Sequence, residues 1–301
     1  MTCPDGGTRP PEPPARVADN PLSILDVCDL VFIDPVATGY SRTEPKVKNE
    51  EFHGLREDIE SVGDFIRRWV TEHGRWDSPK FLLGESYGGV RAAGMVNHLQ
   101  SRYGMSFNGV VLLSAILDFA TLGGDLGNVL YLPTFTAVAH YHRKIAGDRD
   151  ALVREARDFA LGDYATALLK GNSLDAAAAA AVARRLQELT GIPAARWAER
   201  DLRLDPGFFR TELLRAEGKV LGRFDARVVW DGAEPAAQGP DGDPSFDFIY
   251  GPFATALMDY LAGDLGYVET RPYEVMSRQM SGWRWNGENR IVSVADELGR
   301  A

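Results

Sequence analysis

The sequence predicts an α/β fold, a parallel sheet with helices on both faces and a helical insertion, and three observations carry that prediction. Short uncharged apolar runs stand at Leu30-Val31-Phe32-Ile33, Phe81-Leu82-Leu83 and Val110-Val111-Leu112-Leu113, as strands buried on both faces require. Stretches of helical periodicity separate these runs, which is the pattern of parallel strands joined by crossover helices. After Ser114 the texture changes, and residues from about 120 to 260 read as mostly helical.

Each element follows from its residues. Residues 1–22 are rich in proline and irregular, and Leu30 to Ile33 closes at Asp34-Pro35 into the loop Val36-Ala37-Thr38-Gly39-Tyr40-Ser41. From Glu50 a helix is expected, because Phe52, Leu55, Ile59, Val62, Ile66 and Trp69 recur at steps of three or four. Glu50 and Glu51 suit the positive end of its dipole, and Gly74 suits its C-terminal cap. Phe81 to Leu83 runs into Gly84-Glu85-Ser86-Tyr87-Gly88, and a helix follows to about Arg102 with Ala92, Val96 and Leu99 on one face. In the helical region the clearest segment is Ser173 to Gly191, with Ser173 as cap and the alanine run Ala176 to Ala181 inside it. The loop from Gly239 to Pro244 then precedes another apolar helix, roughly Phe246 to Leu261. The expected organisation is a core over 1–119, a helical insertion or cap over 120–260, and a return toward the core over 261–301. No internal repeat is visible.

Composition removes several classes of function. The 301 residues are 45% hydrophobic and carry a net charge of −10, so the surface repels phosphate backbones and nucleic acid is not an expected partner. No apolar run approaches the length of a membrane span. Cys3 and Cys28 lack zinc spacing and cannot make a disulfide framework; a solvent-facing Cys3 and a packed Cys28 are favoured over a bridge between them. No metal site and no cofactor is expected. The first twenty residues hold five prolines and no apolar core, so they are not a signal peptide. The compartment stays open: cytoplasmic if Met1 is the true start, exported if an upstream signal is missing. Oligomeric state is not legible.

Gly84-Glu85-Ser86-Tyr87-Gly88 fits the G-x-S-x-G turn that presents a nucleophilic serine. The chemistry needs a turn so sharp that the serine projects above the sheet, and flanking glycines remove Cβ atoms that would collide there. Ser86 is therefore the candidate nucleophile, Gly84, Gly88 and Gly89 the elbow glycines, and the Tyr87 N–H one oxyanion donor. An apolar strand before the motif and a small-residue helix after it supply the required context.

Gly84-Glu85-Ser86-Tyr87-Gly88-Gly89 resembles the active-site motif of the serine carboxypeptidases, which have the α/β-hydrolase fold. Phe32-Ile33-Asp34-Pro35-Val36-Ala37-Thr38-Gly39-Tyr40-Ser41 is similar to the family's upstream strand and loop, with Ala37 where the family usually has glycine. Gly222-Arg223-Phe224-Asp225-Ala226-Arg227 and Trp283-Arg284-Trp285-Asn286 are similar to segments of bacterial members. The resemblance implies a peptide substrate whose last residue is released by serine attack, with a histidine as base and an aspartate orienting it. It also implies that Glu85 helps bind the substrate's terminal carboxylate through a shared proton. That role suits a carboxylate partly buried beside the reaction centre.

Measured against the family, the set is incomplete. The triad order is Ser, Asp, His, yet the five histidines are His53, His73, His98, His140 and His142, none beyond residue 142. His98 follows Ser86 by twelve residues of helix, roughly 18 Å, and cannot be the base. His140 and His142 fall on an expected helix from Tyr131 to Lys144. Asp296 has helical surroundings rather than those of a strand end, and Asp5-Gly6-Gly7 lacks the Pro-Gly of the family's oxyanion loop. The resemblance thus implies a sheet incomplete at both ends, in a chain truncated at both ends and hydrolytically inert. Two other readings stand beside it: a peptide-binding pseudoenzyme, and an esterase or acyltransferase on the same fold.

Overall fold

The computed structural model describes residues 14–232, 239–240, 242–277, 283–284 and 293–300. The described residues form a mixed α/β structure in two compact units. One is drawn from Asp19–Ala120 and Val268–Ala301, the other from Thr121–Tyr267.

The first unit contains α1 (Leu55–Glu72), β1 (Phe81–Glu85), α2 (Tyr87–Tyr103) and β2 (Gly109–Leu113). The two strands pair in parallel, Phe81 beside Gly109 through to Glu85 beside Leu113, with α2 as the crossover between them. Both helices lean on one side of this small sheet, so the expected helices on both faces are not found among the described residues. Val62 and Val70 of α1 meet Met95 and Leu99 of α2, and Leu82, Ile33 and Trp69 close around them. Each fully buried aliphatic side chain of this kind contributes about 1.5–3 kcal/mol.

The expected helix from Glu50 divides in two. Asn49–Glu51 is a single 3₁₀ turn, and Gly54, fully extended at φ −174°, interrupts the chain before α1 begins at Leu55. The expectation for Leu30 to Ile33 is overturned: among the described residues this run joins no ladder, and Leu30, Val31 and Phe32 are exposed. Only Ile33 packs inward. A strand exists by its neighbour's hydrogen bonds, and apolar composition does not supply the neighbour. The other runs are strands, but not buried on both faces. Phe81, Leu83, Val111 and Leu113 alternate on the face away from α1 and α2, with 65%, 68%, 49% and 53% of their surfaces exposed.

The second unit is largely helical: α3 (Gly124–Tyr141), α4 (Arg149–Phe159), a π-turn at Ala160–Tyr164, α5 (Ala165–Lys170), α6 (Ala176–Thr190), α7 (Ala194–Ala198) and α8 (Pro206–Glu212). A short antiparallel hairpin of β3 (Lys219–Leu221) and β4 (Val229–Asp231) follows, then α9 (Pro244–Gly263). Leu132, Phe135, Tyr164, Leu186, Trp197 and Phe208 build its core. Aspartates mark the helix starts: Asp148, Asp175, Asp205 and Asp243 each accept a backbone N–H of the first turn. For α6 this replaces the expected cap Ser173, which instead ends a separate 3₁₀ turn at Gly171–Ser173. Gly191, at φ 71°, ends α6 as its position predicts. The last helix of the chain, α10 (Ala295–Arg300), lies in the first unit, where Val294 and Leu298 pack with Val90 and Ala93 of α2. Among the described residues no helix is long and apolar enough to cross a membrane. Cys28 is exposed, contrary to its expected packing. Its chain makes a tight local turn in which Sγ donates to the Ile24 carbonyl at 3.3 Å. Cys3 lies outside the described residues.

Candidate active site

Ser86 occupies the single residue between β1 and α2, with φ 55° and ψ −120°. A residue with a Cβ at positive φ is held there only when its surroundings over-determine it, at a cost of about 1–3 kcal/mol. Two backbone bonds fix it: its N–H donates to the Leu113 carbonyl at 3.0 Å, and its carbonyl accepts the Gly89 N–H at 2.9 Å. The hydroxyl thus stands at the carboxyl ends of both parallel strands, where open α/β sheets place their ligands.

The glycines around it divide by function. A Cβ on Gly84 would stand 2.0 Å from the Gly88 carbonyl oxygen, and one on Gly89 would stand 2.4 Å from the Ala115 Cβ. A Cβ on Gly88 would meet nothing within 4 Å. The expectation that both glycines flanking the serine relieve collisions is therefore corrected: Gly84 and Gly89 do so, and Gly88 faces open space. Tyr87 is the first residue of α2, which puts its N–H in the turn where the helix dipole is positive. Glu85 ends β1 and is exposed, which corrects the expectation of a partly buried carboxylate: it points to the same uncovered face as Phe81 and Leu83.

The loop from Asp34 to Ser41, which the resemblance places upstream of the elbow, is held by its own bonds and by the chain at 272–274. Ser41 Oγ donates to the Asp34 carbonyl at 2.7 Å, and the Tyr273 hydroxyl donates to Asp34 Oδ1 at 3.1 Å. Burial, and then the Asp34 carboxylate, push the Tyr273 hydroxyl up to about 12. Gly39 and Glu274 exchange backbone hydrogen bonds at 3.0 and 2.9 Å, which ties the loop to the returning chain. Ala37, where the resemblance expects glycine, is fully buried at φ 68°.

None of the five histidines is hydrogen-bonded to Ser86 among the described residues. His73 lies beyond the end of α1 and stacks on Trp69 at 4.2 Å. His98 is on α2, twelve positions from Ser86, in edge contact with Tyr103. His140 and His142 stand at the end of α3, which stops at Tyr141 rather than at Lys144, and their Nε2 atoms donate to the carbonyls of Gly147 and Ala226. His53 is 1% exposed, with no hydrogen-bond partner at either ring nitrogen among the described residues. Asp296 sits in the first turn of α10, a helix as its neighbours predict. Trp285, Asn286 and the Asp5-Gly6-Gly7 turn lie outside the described residues. Among those described, no three His, Cys, Asp or Glu side chains converge to hold a metal ion.

Two features of the site escape sequence reasoning. Ser114, directly after β2, also has positive φ, 46°, so two strained serines follow two adjacent strands. No motif marks it. The second feature is a buried polar cluster behind Tyr87. Asp58 of α1 is held by Arg91 of α2, Nε to Oδ2 at 2.8 Å and Nη2 to Oδ1 at 3.0 Å. Burial raises the Asp58 carboxyl above its ordinary range, opposed by Arg91. Burial and the same carboxylate push the Tyr87 phenol far up, so it stays protonated.

Residues 10–131 match the sequence model of the serine carboxypeptidase family, about two fifths of the chain. The match takes in the loop from Asp34 to Ser41, the elbow and α2. No curated protein and no solved structure matches the chain.

Proposed function

We propose that this chain, whose residues 10–131 match the serine carboxypeptidase family model, is a member of that family built on an α/β-hydrolase core and recognises the C-terminal ends of peptides, with Ser86 as nucleophile. The observation that carries this reading is the strained Ser86 between a parallel strand and a helix, inside the matched segment. In this reading Ser86 Oγ attacks the last peptide carbonyl, and the Tyr87 N–H stabilises the oxyanion that forms. Glu85, exposed beside the serine, receives the substrate's terminal carboxylate through a shared proton, as the resemblance implies, so this contact forms under acidic conditions. Gly84 and Gly89 keep the turn closed, and Gly88 leaves its approach open.

Attack by a serine hydroxyl needs a base to take its proton. Since none of the five histidines is bonded to Ser86, these 301 residues turn over peptides slowly or not at all. Removing the base from a triad typically lowers kcat on the order of 10⁶-fold. The same observation favours a second reading, in which the chain binds peptide ends without cleaving them.

The test is a titration of the purified chain, at an acidic pH where two carboxyls can share a proton, with a blocked dipeptide carrying a free carboxylate, and with its C-terminal amide. The free acid is expected to bind on the order of tenfold more tightly, about 1.4 kcal/mol, and Glu85→Ala should erase that preference. Equal affinity for acid and amide would sink the carboxypeptidase reading. Release of the C-terminal residue, assayed on the same peptide and on simple esters, should be slow and should vanish in Ser86→Ala. Fast Ser86-dependent ester cleavage with no peptide binding would assign the chain to ester chemistry instead.

A further inference from the structure

Behind the elbow lies a cluster that the proposed chemistry does not use. The Asp58 side chain is 3% exposed and that of Arg91 20%, so the pair stands largely out of water. Arg91 and Tyr87 are four residues apart on α2 and therefore share a face, with the guanidinium 5.4 Å from the Tyr87 ring centre. Trp283 meets the Tyr87 ring edge-on at 5.3 Å, and the His53 ring stacks on Trp283 at 5.7 Å. The chain at 283–284 is itself stitched down: the Arg284 N–H donates to the His53 carbonyl at 3.1 Å, and its guanidinium pairs with Glu57.

Stability alone does not account for this arrangement. An apolar pair of the same volume between α1 and α2 would hold them as well or better, because desolvating two charges offsets much of their attraction. What an ion pair with two parallel hydrogen bonds supplies, and an apolar contact does not, is a fixed direction. Arg91, which holds Asp58, and Tyr87, whose ring lies under the guanidinium, are the fifth and first residues of α2, next to the strained Ser86.

We propose that Asp58 is a positioning residue for the elbow: through Arg91, whose guanidinium lies over the Tyr87 ring, it fixes the first turn of α2, and with it the Tyr87 N–H and the Ser86 backbone. Its consequence for catalysis rests on the reading of Ser86 as nucleophile; its geometry does not.

The test uses the whole chain labelled with ¹⁵N and ¹³C, without substrate. The Ser86 Cα and Cβ shifts report its positive φ, and amide exchange at 86–89 reports the first turn. In Asp58→Asn, exchange at 86–89 should rise roughly tenfold and the Ser86 shifts should move toward ordinary values. Val96 and Leu99, later in α2, should change by less than about twofold. Arg91→Lys, which keeps the charge and removes the parallel pair of hydrogen bonds, should give a smaller change confined to the same residues. If Asp58→Asn does not fold, Arg91→Lys decides by these readings. An unchanged elbow, or a change spread evenly along α2, overturns the proposal. Failure of the carboxypeptidase reading would show only in the comparison of acid and amide peptides, so the two are separable.

Discussion

Gly84 and Gly88 meet across the elbow so closely that a single added carbon on Gly84 would stand 2.0 Å from the Gly88 carbonyl oxygen. That oxygen belongs to backbone and cannot swing aside. Gly84→Ala should therefore destabilise the unit holding α1 and α2 by more than about 2 kcal/mol, or prevent its folding. Gly88→Ala fills open space on a helix, and should change stability by less than about 1 kcal/mol, in the stabilising direction. Chemical denaturation of both variants checks the pair. Equal losses would mean that the turn is not as tight as described.

His53 offers a different kind of test. Both ring nitrogens are buried without a hydrogen-bond partner among the described residues, and an unsatisfied buried polar group costs about 1–3 kcal/mol. Phe fills nearly the same shape and keeps the stacking on Trp283. His53→Phe should thus be neutral or stabilising by up to about 2 kcal/mol, read from the denaturation midpoint. A loss of more than about 1 kcal/mol would show that the ring nitrogens are bonded in solution.

Ala37 stands at φ 68° where the resemblance expects glycine, and three effects compete there. Relieving the left-handed strain with glycine gains about 1–2 kcal/mol. Losing the buried methyl costs about 0.8 kcal/mol, and the added backbone freedom of glycine costs about 0.5–1 kcal/mol. The sum is close to zero. Ala37→Gly should leave the melting temperature nearly unchanged, whereas Ala37→Val, branched and buried at positive φ, should lower it by several degrees.

Glu212 governs an acid-dependent part of the second unit. Burial pushes its carboxyl up, but hydrogen bonds from Arg196 and Arg215 together outweigh burial and hold it below its ordinary value of 4.5. A carboxyl depressed on folding contributes stability that is full above its unfolded value and fades as pH falls through its folded one. The advantage of the native chain over Glu212→Gln should therefore be constant at neutral pH and shrink below about pH 4.5. Urea unfolding at several pH values checks it, and an advantage that grows on acidification would reverse the assignment.

What the residues reveal in advance, and what they hide, follows the range of the forces involved. The spacing of Ile59, Val62, Ile66 and Trp69 announces α1, because helical periodicity is local. The elbow is legible for the same reason: strand, turn and helix are contiguous, and the turn's demands fall on neighbours. Leu30 to Ile33 misleads because a strand is completed by a partner that no local pattern names. Ser173 misleads by a smaller margin, since Asp175 is the better acceptor two residues on. The cluster of His53, Asp58, Tyr87, Arg91 and Trp283 was not legible at all. Its members come from three separated stretches of chain, and only packing brings them together.

The uncovered side of the two-stranded sheet has a consequence for the protein as a colloid. Phe81, Leu83, Val111 and Leu113 make a sticky spot on a particle whose net charge of −10 holds like particles apart. Repulsion of that kind reaches about 10 Å in 0.1 M salt and only about 3 Å in 1 M, while apolar attraction is not screened. Light scattering should accordingly report weak self-association that strengthens as salt is added. Leu83→Lys, which places a charge in the middle of the spot, should remove that dependence. The −10 of the whole chain then acts as a dispersant for one small face, and ionic strength sets how well it works.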